Sequence, residues 1–119
     1  MIVIGPALTP EKTALFLKTW KIAVQQLSSK LFDVRSPTVQ AADSREDLRP
    51  DPEAIEHYVN STPGEHLFLF AVITFFSYSL IEDIFERAEL RSPRLYEYAT
   101  LTDTQRQLIY SLIESYEGW

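Results

Sequence analysis

The sequence predicts an all-α fold, a single-domain helical bundle of about four to five helices around one long central helix at about residues 63–91. Three observations predict it. Apolar residues recur at helical spacing through most of the chain. Of seven prolines, five follow Ser, Thr or Asp: Ser36-Pro37 leads into a less periodic stretch, and the other four are Thr9-Pro10, Asp51-Pro52, Thr62-Pro63 and Ser92-Pro93. Each such pair has the form of an N-cap followed by the first helical residue. The strand-like run LFLFAVITFF has no obvious partner strand, and it continues without a break into a helical pattern that reaches Ala88.

Residues 1–8 read as a short apolar leader that packs across the bundle. The first helix is expected from about Pro10 to Phe32. Phe16, Leu17, Trp20, Ala23, Val24, Leu27 and Leu31 fall within an arc of about 120°, a core stripe with Trp20 near its centre. Leu15 and Ile22 lie on the other side among lysines, as isolated exposed apolar residues do. Residues 33–50, DVRSPTVQAADSREDLRP, are polar and rich in helix breakers, and predict a long loop. A short helix from about Pro52 to Asn60 follows. Asp51 caps it, Glu53 sits in its first turn, and Ala54, Ile55, Tyr58 and Val59 face inward.

The central helix opens on Thr62-Pro63-Gly64-Glu65, a capping box with proline at the first helical position, and stops at Ser92-Pro93. About 29 residues at 1.5 Å rise span roughly 43 Å. Its halves differ. In the second, Leu80, Ile81, Ile84, Phe85 and Ala88 share one face and Glu82, Asp83, Glu86 and Glu89 the other. Projected backwards, the acidic side becomes Phe68, Ala71, Val72 and Phe75. A helix apolar on every side must be covered on every side. The cover comes either from the rest of the chain or from another chain that meets the Phe68/Val72/Phe75 face.

Residues 93–99 read as a short helical segment capped by Ser92. The last helix begins after Thr102, where Thr102-Asp103-Thr104-Gln105 forms a second capping box. Leu108, Ile109, Leu112, Ile113 and Tyr116 make its apolar stripe, and Tyr110 points away from it.

With 119 residues and 45% hydrophobic content, residues 1–119 are expected to be one helical domain with an ordinary core. There is no cysteine, so disulfides, thiolate chemistry and Cys-based metal sites are excluded. The first residues lack the basic region and long apolar core of a signal peptide. Residues 67–81 are uncharged and mostly apolar, but 15 residues cover only about 22 Å of the ~30 Å of a bilayer, and acidic residues flank them. The expectation is a cytoplasmic chain that does not enter a membrane. The net charge is −6. Residues 1–32 carry Lys12, Lys18, Lys21 and Lys30 against Glu11, while residues 33–91 carry five Arg against twelve acids. Nucleic-acid binding normally needs a basic face strong enough to neutralise several phosphates, and this balance argues against one.

Candidate chemistry is sparse. Glu53 and Glu56 lie one turn apart on one helix, and Asp83 and Glu86 one turn apart on another. Four acids converging between those helices would hold Mg²⁺ or Mn²⁺, and such an ion could act on a phosphate ester. Two histidines, His57 and His66, with no His-x-x-x-His or Glu-x-x-His spacing, do not make a zinc or di-iron site. No motif nominates a nucleophile. Residues 93–117 can also be drawn as helix–turn–helix, with Gln105, Arg106 and Gln107 at base edges. Against that reading, residues 92–119 hold two Arg and four acids. The sequence therefore points to a small acidic interaction module that uses no cofactor or metal and binds another protein with a basic surface or a second copy of itself. Phe68, Val72, Phe75, Glu82, Glu86 and Tyr110 are the candidate partner-binding residues. A divalent-metal enzyme and a helix–turn–helix DNA-binding regulator are the alternatives.

Overall fold

The computed structural model describes residues 10–62, 66–87 and 95–116. Five α-helices and a two-stranded sheet follow in the order α1 (Pro10–Leu27), β1 (Phe32–Val34), β2 (Leu48–Pro50), α2 (Pro52–Ser61), α3 (Leu67–Thr74), α4 (Tyr78–Arg87) and α5 (Asp103–Ser115). Short 3₁₀ turns at Ser29–Leu31, Arg45–Asp47 and Leu95–Thr100 join them. The class is all-α, as the sequence predicts, with one small sheet added. The leader at 1–8, residues 63–65 of the first capping box and the Ser92-Pro93 stop lie outside the described residues.

Trp20 is the hub of the core. Its side chain is fully buried, stacked between Phe16 and Phe76 at 5.9 Å each and edge-on to Phe32 at 6.0 Å. An indole buried this deeply must place its one donor, and Nε1–H donates to the Leu48 carbonyl at 3.0 Å. That bond ties α1 to β2. Helix α1 ends at Leu27, short of the expected Phe32. The reason is local: Ser28 Oγ accepts from the Lys30 amide, a side-chain alternative to the helical ladder.

The polar stretch 33–50 is closed rather than loose. Its ends pair antiparallel, Phe32 with Pro50, Asp33 with Arg49 and Val34 with Leu48, so Phe32 and Leu48 reach the core and Asp33 and Arg49 the solvent. Between the strands, Thr38 Oγ1 accepts from the Ala41 amide, Ala42 is buried, and Lys21 on α1 donates to the Gln40 carbonyl at 2.8 Å. Helix α2 starts as predicted, with Asp51 Oδ1 accepting from the Glu53 and Ala54 amides.

The single long helix is corrected to two. Helix α3 ends at Thr74, whose hydroxyl donates back to the Ala71 carbonyl at 2.7 Å. The next amides tighten, Phe75 N–H donating to Val72 O and Phe76 N–H to Ile73 O. Ser77 Oγ then accepts from the Leu80 amide and starts α4. The break solves the packing problem that the sequence poses. Six of the eight α3 residues, Leu67, Phe68, Leu69, Phe70, Val72 and Ile73, are buried, whereas α4 is free to turn its acidic side to solvent. Helix α5 carries the predicted capping box in full: Gln105 N–H donates to Thr102 Oγ1 at 3.1 Å, and Thr102 N–H to Gln105 Oε1 at 2.9 Å. Buried apolar residues from every helix but α5's outer side, and from both strands, form one contiguous cluster.

Candidate functional site

The end of α3, the Leu95–Thr100 turn and the middle of α5 make a groove on the described surface. Leu101 plugs into the core beyond the Leu95–Thr100 turn, which is held by Thr100 Oγ1–H donating to the Glu97 carbonyl at 2.7 Å. That anchor sets Tyr98 and Ala99 above the last turn of α3, where Ala71, Thr74 and Phe75 form one wall. The opposite wall is α5, through Arg106, Ile109 and Tyr110. The volume of this open groove is about 530 Å³, within the range of about 300–1,000 Å³ typical of ligand pockets. Burial pushes the Tyr98 phenol pKa up, and the nearby Glu97 charge adds to the shift, so at neutral pH it presents a hydroxyl. Arg106 pairs with Asp103 at the rim.

Beside the groove, α5 shows an apolar outer side. Tyr110 is 53% exposed, Ile113 55% and Tyr116 39%, three of the six large hydrophobic side chains exposed among the described residues. Phe75 lies edge-on to Tyr116 at 5.7 Å and joins this strip to the groove wall. The expected stripe of α5 is therefore rotated. Leu108, Leu112 and Ser115 take the core, Ile109 lies half-buried, and Ile113 and Tyr116 face outward. The small Ser115, its hydroxyl donating to Ser111 O at 2.7 Å, lets the helix sit close on that edge.

Of the residues chosen from sequence, the structure brings Phe75 and Tyr110 together on this groove, from helices 35 positions apart in the chain. Phe68 and Val72 are corrected. They are 7% and 0% exposed and belong to the core cluster, so they form no open apolar face. Glu82 and Glu86 are exposed on α4 and do not line the groove. Ala71, Thr74, Tyr98, Ala99, Leu101, Arg106 and Ile109 line the groove without having been chosen from the sequence as partner-binding residues. The crowding of aromatic residues near the C-terminus was the signal for Tyr98, but nothing in the sequence announced that Ala71 would face it.

The paired carboxylates do not converge. Among the described residues no group of three or more His, Asp or Glu side chains could hold a metal ion. Arg87 on α4 instead approaches Glu56 on α2, Nε to Oε2 at 3.6 Å, and Asp83 and Glu86 stay exposed. His66 caps α3 in the left-handed region, its Nε2 2.9 Å from the Thr62 carbonyl oxygen and its ring edge-on to Tyr58. Arg45 and Arg49 sit over the Phe76 ring at 5.2 and 5.9 Å. Desolvation lowers the Arg45 pKa, and Glu46 opposes the shift. Gln105 and Arg106, set at base edges in the helix–turn–helix reading, are engaged by the Thr102 cap and by Asp103, and the preceding element is a 3₁₀ turn. No helix among the described residues is long and apolar enough to cross a membrane.

No protein-family model, curated protein or solved structure matches the chain.

Proposed function

We propose that this chain is a protein-binding module with no catalytic site of its own, and that it seats its partner in the groove between α3, the Leu95–Thr100 turn and α5. One observation carries this reading: an apolar groove opens beside exposed tyrosine and isoleucine on a single capped helix. Interfaces concentrate their energy in a few Tyr, Trp and Arg anchors around such a pocket. Tyr98, Tyr110 and Arg106 stand in those positions. The exposed acids Glu82, Asp83 and Glu86 on α4 would steer a basic partner surface during encounter, an effect that salt weakens. The reading is preferred to a metal-dependent enzyme because no acidic cluster among the described residues could hold a metal, and to DNA binding because residues 92–119 hold two Arg against four acids. A chain without cysteine suits the reducing cytoplasm, where we place it.

The test is comparative capture from native extract by the wild type, Tyr110→Glu and the remote surface variant Lys18→Glu, followed by titration of the purified captured protein. Wild type and Lys18→Glu retain the same partner, and Tyr110→Glu binds it at least about tenfold more weakly, as expected for an interface anchor. Equal retention by all three overturns the groove as the docking site.

A further inference from the structure

We infer that the partner seated against α5 is a second copy of this chain, paired antiparallel about a two-fold axis near Tyr110; this rests on the protein-binding reading above and names its partner. The first support is shape. On one helix a concave feature, the groove bounded by Arg106, Ile109 and Tyr110, adjoins a convex one, the exposed side chain of Ile113. A two-fold interface requires this self-complementarity, because the same patch must serve as both knob and hole. In an antiparallel pairing centred on Tyr110, each residue meets the one equally far on the other side of 110. Ile113 of one copy then approaches the wall of the other copy's groove between Arg106 and Ile109.

The second support is charge. The same register sets Arg106, four residues before Tyr110, opposite Glu114 of the second copy, four residues after it, and symmetry makes the contact twice. Glu114 is exposed and has no ion-pair or hydrogen-bond partner among the described residues. The Arg106 guanidinium contacts Asp103 through one terminal nitrogen, and its other donors remain available to a second carboxylate. A parallel pairing would set Arg106 against Arg106 and Glu114 against Glu114, so charge selects the antiparallel arrangement. A face built on one 13-residue helix is small for an interface, and the association is accordingly a weak, transient one.

Sedimentation equilibrium over micromolar to millimolar concentrations tests the pairing on wild type, Arg106→Glu and Glu114→Arg, with circular dichroism to confirm that each variant keeps its helices. Wild type passes from monomer to dimer. Each single variant turns two attractive contacts into two repulsive ones and associates about tenfold more weakly or worse. An equimolar mixture of the two variants restores both opposite-charge contacts and forms heterodimers at near wild-type strength. A wild type that stays monomeric throughout overturns the inference, as does a mixture no tighter than its components. The protein-binding reading is separable from it: a monomeric chain whose captured partner is still lost in Tyr110→Glu leaves the groove standing with a different occupant.

Discussion

Truncating Phe68 to alanine tests whether the apolar first half of the central segment is covered from within. Phe68 is 7% exposed in the chain alone and shares the core cluster with Val72, Trp20 and Leu112. Removing a buried phenyl ring costs roughly 3–5 kcal/mol, the lost transfer energy plus the cavity left behind. A domain of this kind holds only about 5–15 kcal/mol in total. With a urea dependence of about 1–3 kcal/mol per molar, the unfolding midpoint of Phe68→Ala falls by roughly 1–5 M. The comparison is Ile113→Ala, at a side chain 55% exposed, where a surface truncation stays within about 0.5 kcal/mol. Urea melts followed by circular dichroism at low protein concentration, where a weak dimer is dissociated, read the folded monomer. The loss in Phe68→Ala is then independent of protein concentration. If Phe68→Ala and Ile113→Ala melted alike, or the Phe68 loss appeared only at high concentration, the argument that the chain covers its own α3 would be refuted.

Trp20→Phe removes the donor to the buried Leu48 carbonyl. It costs at least about 1–3 kcal/mol in a urea melt, because that oxygen is left without its hydrogen bond. Thr102→Ala removes the hydroxyl that accepts from the Gln105 amide, leaving only the backbone half of the α5 capping box, and lowers stability by about 0.5–2 kcal/mol, with Thr102→Ser close to wild type. Burial raises the Tyr98 pKa in the folded state. Its contribution is therefore fully present below the ordinary tyrosine pKa of about 10 and is lost as pH rises through the higher folded value. Urea midpoints taken from neutral to alkaline pH fall less steeply above about pH 10 in Tyr98→Phe than in wild type.

Local chemistry carried furthest where it acts over three or four residues. Asp51-Pro52 opens α2 and Thr102–Gln105 opens α5, because a side-chain oxygen three residues from an orphan amide has few other options. Trp20 at the centre of the α1 stripe is buried for a similarly local reason, since the wheel puts it amid Phe16, Ala23 and Val24. Breaks and faces depend on more distant residues. The run TFFSYS reads as helix by periodicity, yet Thr74 and Ser77 offer the backbone other hydrogen bonds, and the gain from burying α3 on all sides decides for them. Residues 32–34 and 48–50 are too short and too far apart for a pairing to be visible in composition. The Trp20 bond to Leu48, the burial of Phe32 and Leu48, and flanking backbone bonds from Arg35 N–H to Asp47 O and Asp51 N–H to Leu31 O hold their register.

The last helix shows where the division lies. Its limits, its cap and the presence of an apolar side follow from the order of residues alone, because each depends on neighbours within a turn. Which of its apolar residues are core was decided by tertiary packing. Leu108, Leu112 and Ser115 face inward because α5 must meet α1 and α3 at once, and that two-sided demand turns Tyr110, Ile113 and Tyr116 outward. The groove beside them has the same origin. Ala71 and Tyr98 carry no mark of it in the sequence, since a concave surface belongs to the relative placement of elements rather than to any one of them.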